Sequence, residues 1–184
     1  MMGSQIPEDD LTHLAPYSSK RDASKLPQTR QRGPRLSEAI LQHGIEARNG
    51  EVFKLVFESA NSDWQQSVTL VTDKEVRLGT KIFKRGVIVH YDPSRSEFLF
   101  EARTREGMLW VWNSWHYRDA QGSLHTASQL NYAGMIVEKL STGFRYRCNE
   151  GRDDDDYDDL VFRIERKGMG RFGSHKEAQE FLRS

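Results

Sequence analysis

Asp153-Asp154-Asp155-Asp156-Tyr157-Asp158-Asp159-Leu160-Val161-Phe162-Arg163-Ile164 passes from a dense acidic run straight into an alternating apolar segment. Six of the seven residues from Asp153 to Asp159 are aspartates, and Glu150 stands just upstream. Carboxylates packed this closely repel by on the order of 1–4 kcal/mol per pair and raise one another's pKa values. A cation among them relieves that cost, and a hard ion with many oxygen ligands, Ca²⁺ above all, suits it best. The plainer reading of an acidic run is a solvated loop. Here the run is short, holds an aromatic residue, and leads into Leu160–Ile164, whose alternation reads as a strand. An EF-hand does not fit, because the twelfth residue from Asp153 is Ile164 rather than Glu and the flanks read as strands rather than helices.

Working outward, the same texture recurs. Val52–Phe57, Ser67–Thr72, Gly86–Tyr91 and Glu97–Ala102 are rich in β-branched and aromatic residues, as strands prefer. Leu109–Trp112, Gly134–Val137 and Gly143–Arg147 continue the series. Turn pairs fall between them at Asn49-Gly50, Asp92-Pro93, Glu106-Gly107 and Gln121-Gly122. Many short strands at this spacing predict an all-β, antiparallel sandwich or barrel. No internal repeat is apparent.

The ends differ in composition. Residues 1–36 are polar and contain proline, so they are expected to form a flexible N-terminal arm. The domain proper spans 37–167, with one or two helical turns expected over Ser37–His43. A C-terminal extension covers 168–184, where Ser174 reads as an N-cap and Glu177 as its capping-box partner for a short helix over His175–Leu182. The chain of 184 residues balances 27 basic against 27 acidic side chains, which gives no electrostatic case for nucleic acid or an anionic membrane. Cys148 is the one cysteine, which excludes an internal disulfide and a cysteine-rich metal site, and it is expected to be buried. With no apolar leader or long apolar stretch, a cytoplasmic protein is expected, non-classical export being left open.

The acidic loop with its neighbouring strands resembles the calcium-mediated lectins, bacterial β-sandwich proteins that bind fucose and mannose. Their loop has the form Glu-x-x-x-Asp-x-Asp-Tyr-Asn-Asp, which this sequence matches with Glu150, Asp154, Asp156, Tyr157, Asp158 and Asp159. Asp158 replaces the family Asn. Their early Ala-Asn-Ser-Ser-Gly turn is similar to Ala60-Asn61-Ser62-Asp63-Trp64. The likeness covers roughly residues 50 to 165. It implies a lectin-like β-sandwich of Greek-key type, with Asn61, Glu150, Asp154, Asp156, Asp158 and Asp159 as Ca²⁺ ligands. It further implies Ser62, Asp63 and Trp64 as ligand-binding residues, a carbohydrate or small molecule as ligand, and a homodimer.

Trp110, Trp112, Trp115, His116 and Tyr117 crowd into eight residues, and Trp110 and Trp112 share one face of a strand. Core packing explains them, and so does the wall of an apolar pocket. Histidine is the residue type suited to acid–base work near neutral pH, and the sequence offers His90, His116 and His125, but nothing in the sequence brings them together. No catalytic residue is assigned, since nucleophile, zinc and phosphate-loop motifs are absent from the sequence. Calcium-dependent carbohydrate binding is the leading reading. The alternative is a small calcium-dependent enzyme of isomerase, cyclase or hydratase type, built on the same scaffold around the aromatic residues.

Overall fold

The computed structural model describes residues 14–17, 39–128, 133–152 and 156–169. Eleven strands and no helix lie among them. They are β1 Leu14–Pro16, β2 His43–Glu46, β3 Glu51–Ala60, β4 Gln65–Leu78, β5 Lys81–His90, β6 Glu97–Arg103, β7 Met108–Arg118, β8 Leu124–Ala127, β9 Gly134–Leu140, β10 Gly143–Asn149 and β11 Leu160–Met169. Every pairing is antiparallel, along the order β1-β5-β4-β6-β3-β11-β10-β9, while β7 pairs with β2, β4 and β8.

Strand β4 explains the layout. Its 14 residues are long for a strand. The first half, from Gln65 to Val71, pairs with β7, and the later residues Glu75–Arg77 pair with β6. A register shift between Val71 and Glu75 separates the two halves on the β5 side. The sheet therefore forks along β4. The two branches meet again where Ile40, just before β2, bridges Met135 of β9 through hydrogen bonds of 2.9 and 2.8 Å.

The inner face carries one continuous core, which includes Phe53, Leu55, Val68, Leu70, Val87, Phe100, Val111, Met135, Tyr146, Phe162 and Ile164. Period-two alternation produces it, because successive side chains leave a strand on opposite faces. Phe53 stacks on Phe100 at 5.6 Å between ring centroids, and Tyr146 stacks on Phe162 at 4.5 Å. Each such side chain contributes on the order of 1.5–3 kcal/mol by leaving water. The outer face of β3, β11 and β10 carries charge instead: Glu58 pairs with Arg145 at 2.8 Å and with Arg163 at 2.9 Å. At Gly143 the strands approach so closely that a Cβ would overlap the carbonyl oxygen of Ile164.

The structure is all-β and antiparallel, as expected, and the pairings link all eleven strands into one sheet, because β4 is long enough to serve both branches. Three features depart from the sequence expectations. Leu14–Pro16, inside the expected flexible arm, pairs with Val87–Val89 of β5, and Tyr17 sets its ring edge-on to Trp112 at 5.4 Å. Residues 39–43, within the expected helical turns, are not helical: Ile40 bridges β9, Leu41 lies in a bend and His43 opens β2, and these pairings override a modest local preference. Strand β11 runs to Met169, past the expected domain edge at 167. The expected helix over 175–182 lies outside the described residues. Cys148 is fully buried, and burial first, then the nearby Asp159, pushes its thiol well above the usual range.

His43 of β2 shares a 2.9 Å hydrogen bond between its Nδ1 and the hydroxyl of buried Tyr146. Its ring meets Phe144 edge-on at 4.6 Å, and burial lowers its pKa from the ordinary 6.5. A histidine with a lowered native pKa takes up protons more readily when unfolded, so its contribution is complete above about pH 6.5 and is lost as pH falls. Thermal midpoints measured between pH 7.5 and 5.5 are expected to fall with pH, and His43→Gln to flatten that slope. An unchanged slope in the variant would contradict this placement of His43.

Candidate functional site

Pairing of β3 with β11 sets Ala60 opposite Leu160, so the loops that follow and precede these residues emerge together. The Asn61 amide N–H donates to the Asp159 carbonyl at 3.1 Å, and Asn61 Nδ2 donates to Asp158 Oδ2 at 3.1 Å. Two segments about 90 residues apart thus form one rim. The two motifs that suggested a common site in the sequence are neighbours.

Glu150 is the hub of this rim, and it is fully buried. Its Oε2 accepts hydrogen bonds from the Ser62 hydroxyl and from Gln66 Nε2, the latter at 2.6 Å. Its Oε1 lies 3.4 Å from Arg152 Nε, and its own amide donates to Asp159 Oδ2 at 2.7 Å. The Ser62 hydroxyl also accepts the Trp64 amide at 3.0 Å. Asn113 of β7 braces the turn by donating to the Asn149 carbonyl at 3.1 Å, while Asn149 Nδ2 donates to the carbonyls of Glu150 and Arg152 at 3.1 and 3.0 Å. A buried carboxylate is tolerated only when paired and hydrogen-bonded, and here those requirements are met by residues from both loops and from β4.

An aromatic and cationic stack lies over this hub. The Arg152 guanidinium sits 4.6 Å above the Trp64 ring, and Trp64 lies parallel to Trp115 at 6.3 Å and 10°. Arg152 also reaches Asp63 at 3.2 Å, whose side chain is 82% exposed. Tyr117 continues the aromatic row at 5.7 Å from Trp64, and His125 stacks on Tyr117 at 5.4 Å. His125 in turn contacts Asp119 at 2.6 Å, and that hydrogen bond holds the Asp119 carboxyl below its ordinary range. Gly151 passes so close to Trp115 that a Cβ would stand 3.1 Å from Cζ2.

The acidic loop is pinned by Tyr157, which adopts φ of 56° and is buried against Ala39 and Ile136. A left-handed non-glycine residue costs about 1–2 kcal/mol, offset here by burial of the ring. Asp156 and Asp158 remain exposed on either side of it, and the Asp158 amide donates to Asp156 Oδ1 at 3.3 Å.

The six candidate metal ligands therefore divide. Glu150 and Asp159 are buried and turned to protein donors, Asn61, Asp156 and Asp158 sit together at the solvent side, and Asp154 lies outside the described residues. No three His, Cys, Asp or Glu side chains among the described residues converge as a metal-ligand group. Among the described residues no six-ligand cage is assembled: Asn61, Asp158 and Asp156 are linked by hydrogen bonds at the solvent side, and their side-chain oxygens are of the donor type that Ca²⁺ prefers. The positive charge that the acidic loop was expected to need is partly supplied by Arg152. Sequence reading did not single out Arg152 or Gln66, since one Arg beside an acidic run and one Gln in a strand carry no recognisable spacing.

The chain matches no protein-family model, no curated protein and no solved structure.

Arg152→Ala removes both the cation over Trp64 and the guanidinium beside buried Glu150. Breaking a fully buried pair costs about 3–5 kcal/mol, but the Arg152 side chain is 44% exposed and water replaces part of it, so a loss of about 1–2 kcal/mol is expected. Asp63→Ala, at an exposed position, is expected to change stability by less than about 0.5 kcal/mol. Urea unfolding followed by tryptophan fluorescence compares them. Equal, negligible effects would contradict the role given to Arg152.

Proposed function

We propose that this protein binds carbohydrate in a calcium-dependent manner where the loop of Asn61–Trp64 meets the acidic loop. The observation that carries this reading is the contact of Asn61 with Asp158 at 3.1 Å, beside exposed Asp63 and the stack of Arg152 on Trp64. Sugar recognition asks for oxygen and nitrogen groups that hydrogen-bond to hydroxyls, and for an aromatic surface that meets the apolar face of the ring. Asp63 and Arg152 supply the first, Trp64 and Tyr117 the second. Ca²⁺, held by Asn61, Asp156 and Asp158, would add a centre at which vicinal hydroxyls replace water. Glu150 and Asp159 then act as the scaffold that joins the loops rather than as ligands.

The division of roles gives a sharp test. Calorimetry with fucose and mannose, run in millimolar calcium and in chelator, is expected to show binding that needs the metal. Asp158→Ala is expected to remove calcium and sugar binding together, and Trp64→Ala to weaken sugar binding at least tenfold while calcium still binds. Silence toward these sugars and across a glycan array, with calcium bound, would overturn the carbohydrate assignment. Sugar binding unaffected by chelator would overturn the calcium dependence alone.

A further inference from the structure

On the outer face of the sheet, away from the rim, His90 of β5 and His116 of β7 reach toward each other across β4. Their positions are set by register: His90 stands opposite Ser67, and His116 opposite Gln65. Ser67 is small and fully buried, its hydroxyl held by the carbonyl and hydroxyl of Ser114 at 2.9 and 2.8 Å. No bulky side chain at Ser67 therefore separates the two rings, whose centroids lie 4.6 Å apart at 66°. They line an open cleft of about 600 Å³ that also includes Gln65, Tyr91, Asp92 and Ala15.

We propose that His90 and His116 form a binding site for a divalent first-row transition metal of the kind imidazole prefers, Cu²⁺, Zn²⁺ or Ni²⁺. The ring of His116 is oriented by Thr126, whose hydroxyl lies 3.1 Å from Nδ1. Its Nε2 is buried at the cleft and has no hydrogen-bond partner among the described residues. With Nδ1–H donating to Thr126, that Nε2 carries the lone pair a metal takes. An orienting hydrogen bond on the opposite nitrogen is the arrangement that metal-binding imidazoles use. Burial lowers the His116 pKa, which favours the neutral ring. Two imidazoles from the protein leave the remaining positions to water or a small anionic ligand, and the cleft has room for both. Asp92 lies on the cleft wall, but its Oδ1 is held by the amide and hydroxyl of Ser94 at 2.8 and 2.7 Å, so it is not assigned as a ligand.

A two-imidazole site should follow the general affinity order of such sites, with Cu²⁺ tightest. Titration of the full chain with Cu²⁺ and Zn²⁺, followed by calorimetry, is expected to show one metal per chain. His90→Ala and His116→Ala are each expected to weaken it at least tenfold. Asp158→Ala is expected to leave it intact, so failure here is separable from failure of the carbohydrate reading. In the unaltered chain, substoichiometric Cu²⁺ is expected to broaden the NMR signals of Ser67, Tyr91 and Thr126 first, a readout that does not depend on the variants folding. Absence of stoichiometric binding, retention of it in a folded His90→Ala, His116→Ala double variant, or broadening centred on Asp119 and His125 would each overturn the assignment.

Discussion

The carboxylate of Glu150 is the constraint around which the rim of this molecule is arranged. Removing a charge from water costs several kcal/mol even after relaxation, so a fully buried Glu persists only where donors surround it. Those donors come from Ser62 in one loop, Gln66 in β4 and Arg152 in the other loop. None of the three can shift without leaving buried charge uncompensated. The backbone geometry of both loops, and the stack of Arg152 on Trp64 and Trp115, follow from that requirement. The exposed groups that meet a ligand therefore stand on a frame that is fixed from within.

That frame depends on the forked sheet. Because β4 pairs with β7 in its first half and with β6 further on, both branches hang from one strand and share one core. The fork also brings Trp115 and Tyr117 of β7 to the end of the sheet where β3 and β4 are joined. Alternation then separates two chemistries along β7. Trp115 and Tyr117 face the rim, whereas Trp112, Ser114 and His116 face the opposite side of the sheet. One strand in this way contributes to the rim with one face and to the histidine cleft with the other.

Eight strands were legible in the sequence because their apolar residues repeat at period two and are bounded by Gly or Asn turns; Gly50, Gly107 and Gly122 all adopt the positive φ that such turns demand. The short strands β1, β2 and β8 were not legible. His43–Glu46 and Leu124–Ala127 carry too few alternating residues to be distinguished from loop, and Leu14–Pro16 sits in a polar, proline-containing segment. Their pairing is decided by partners remote in the chain. The proximity of the Asn61 loop to the acidic run was implied by the resemblance of the two motifs to those of the calcium-mediated lectins. The split among its carboxylates was not, because which of Glu150, Asp156, Asp158 and Asp159 turns inward depends on the pinning of Tyr157 and on Gln66. The meeting of His90 with His116 was likewise invisible, since it depends on register across three strands.

The central claim is that Glu150 couples the two loops into one unit, and a double-mutant cycle between Ser62 and Glu150 tests it most directly. Stability would be measured by chemical unfolding for the unaltered chain, Ser62→Ala, Glu150→Ala and the double variant. A hydrogen bond to a charged, buried acceptor contributes about 1.5–3 kcal/mol, so a coupling energy of at least roughly 1 kcal/mol is predicted. Additivity within about 0.5 kcal/mol would mean that the loops are independent, and would contradict the account.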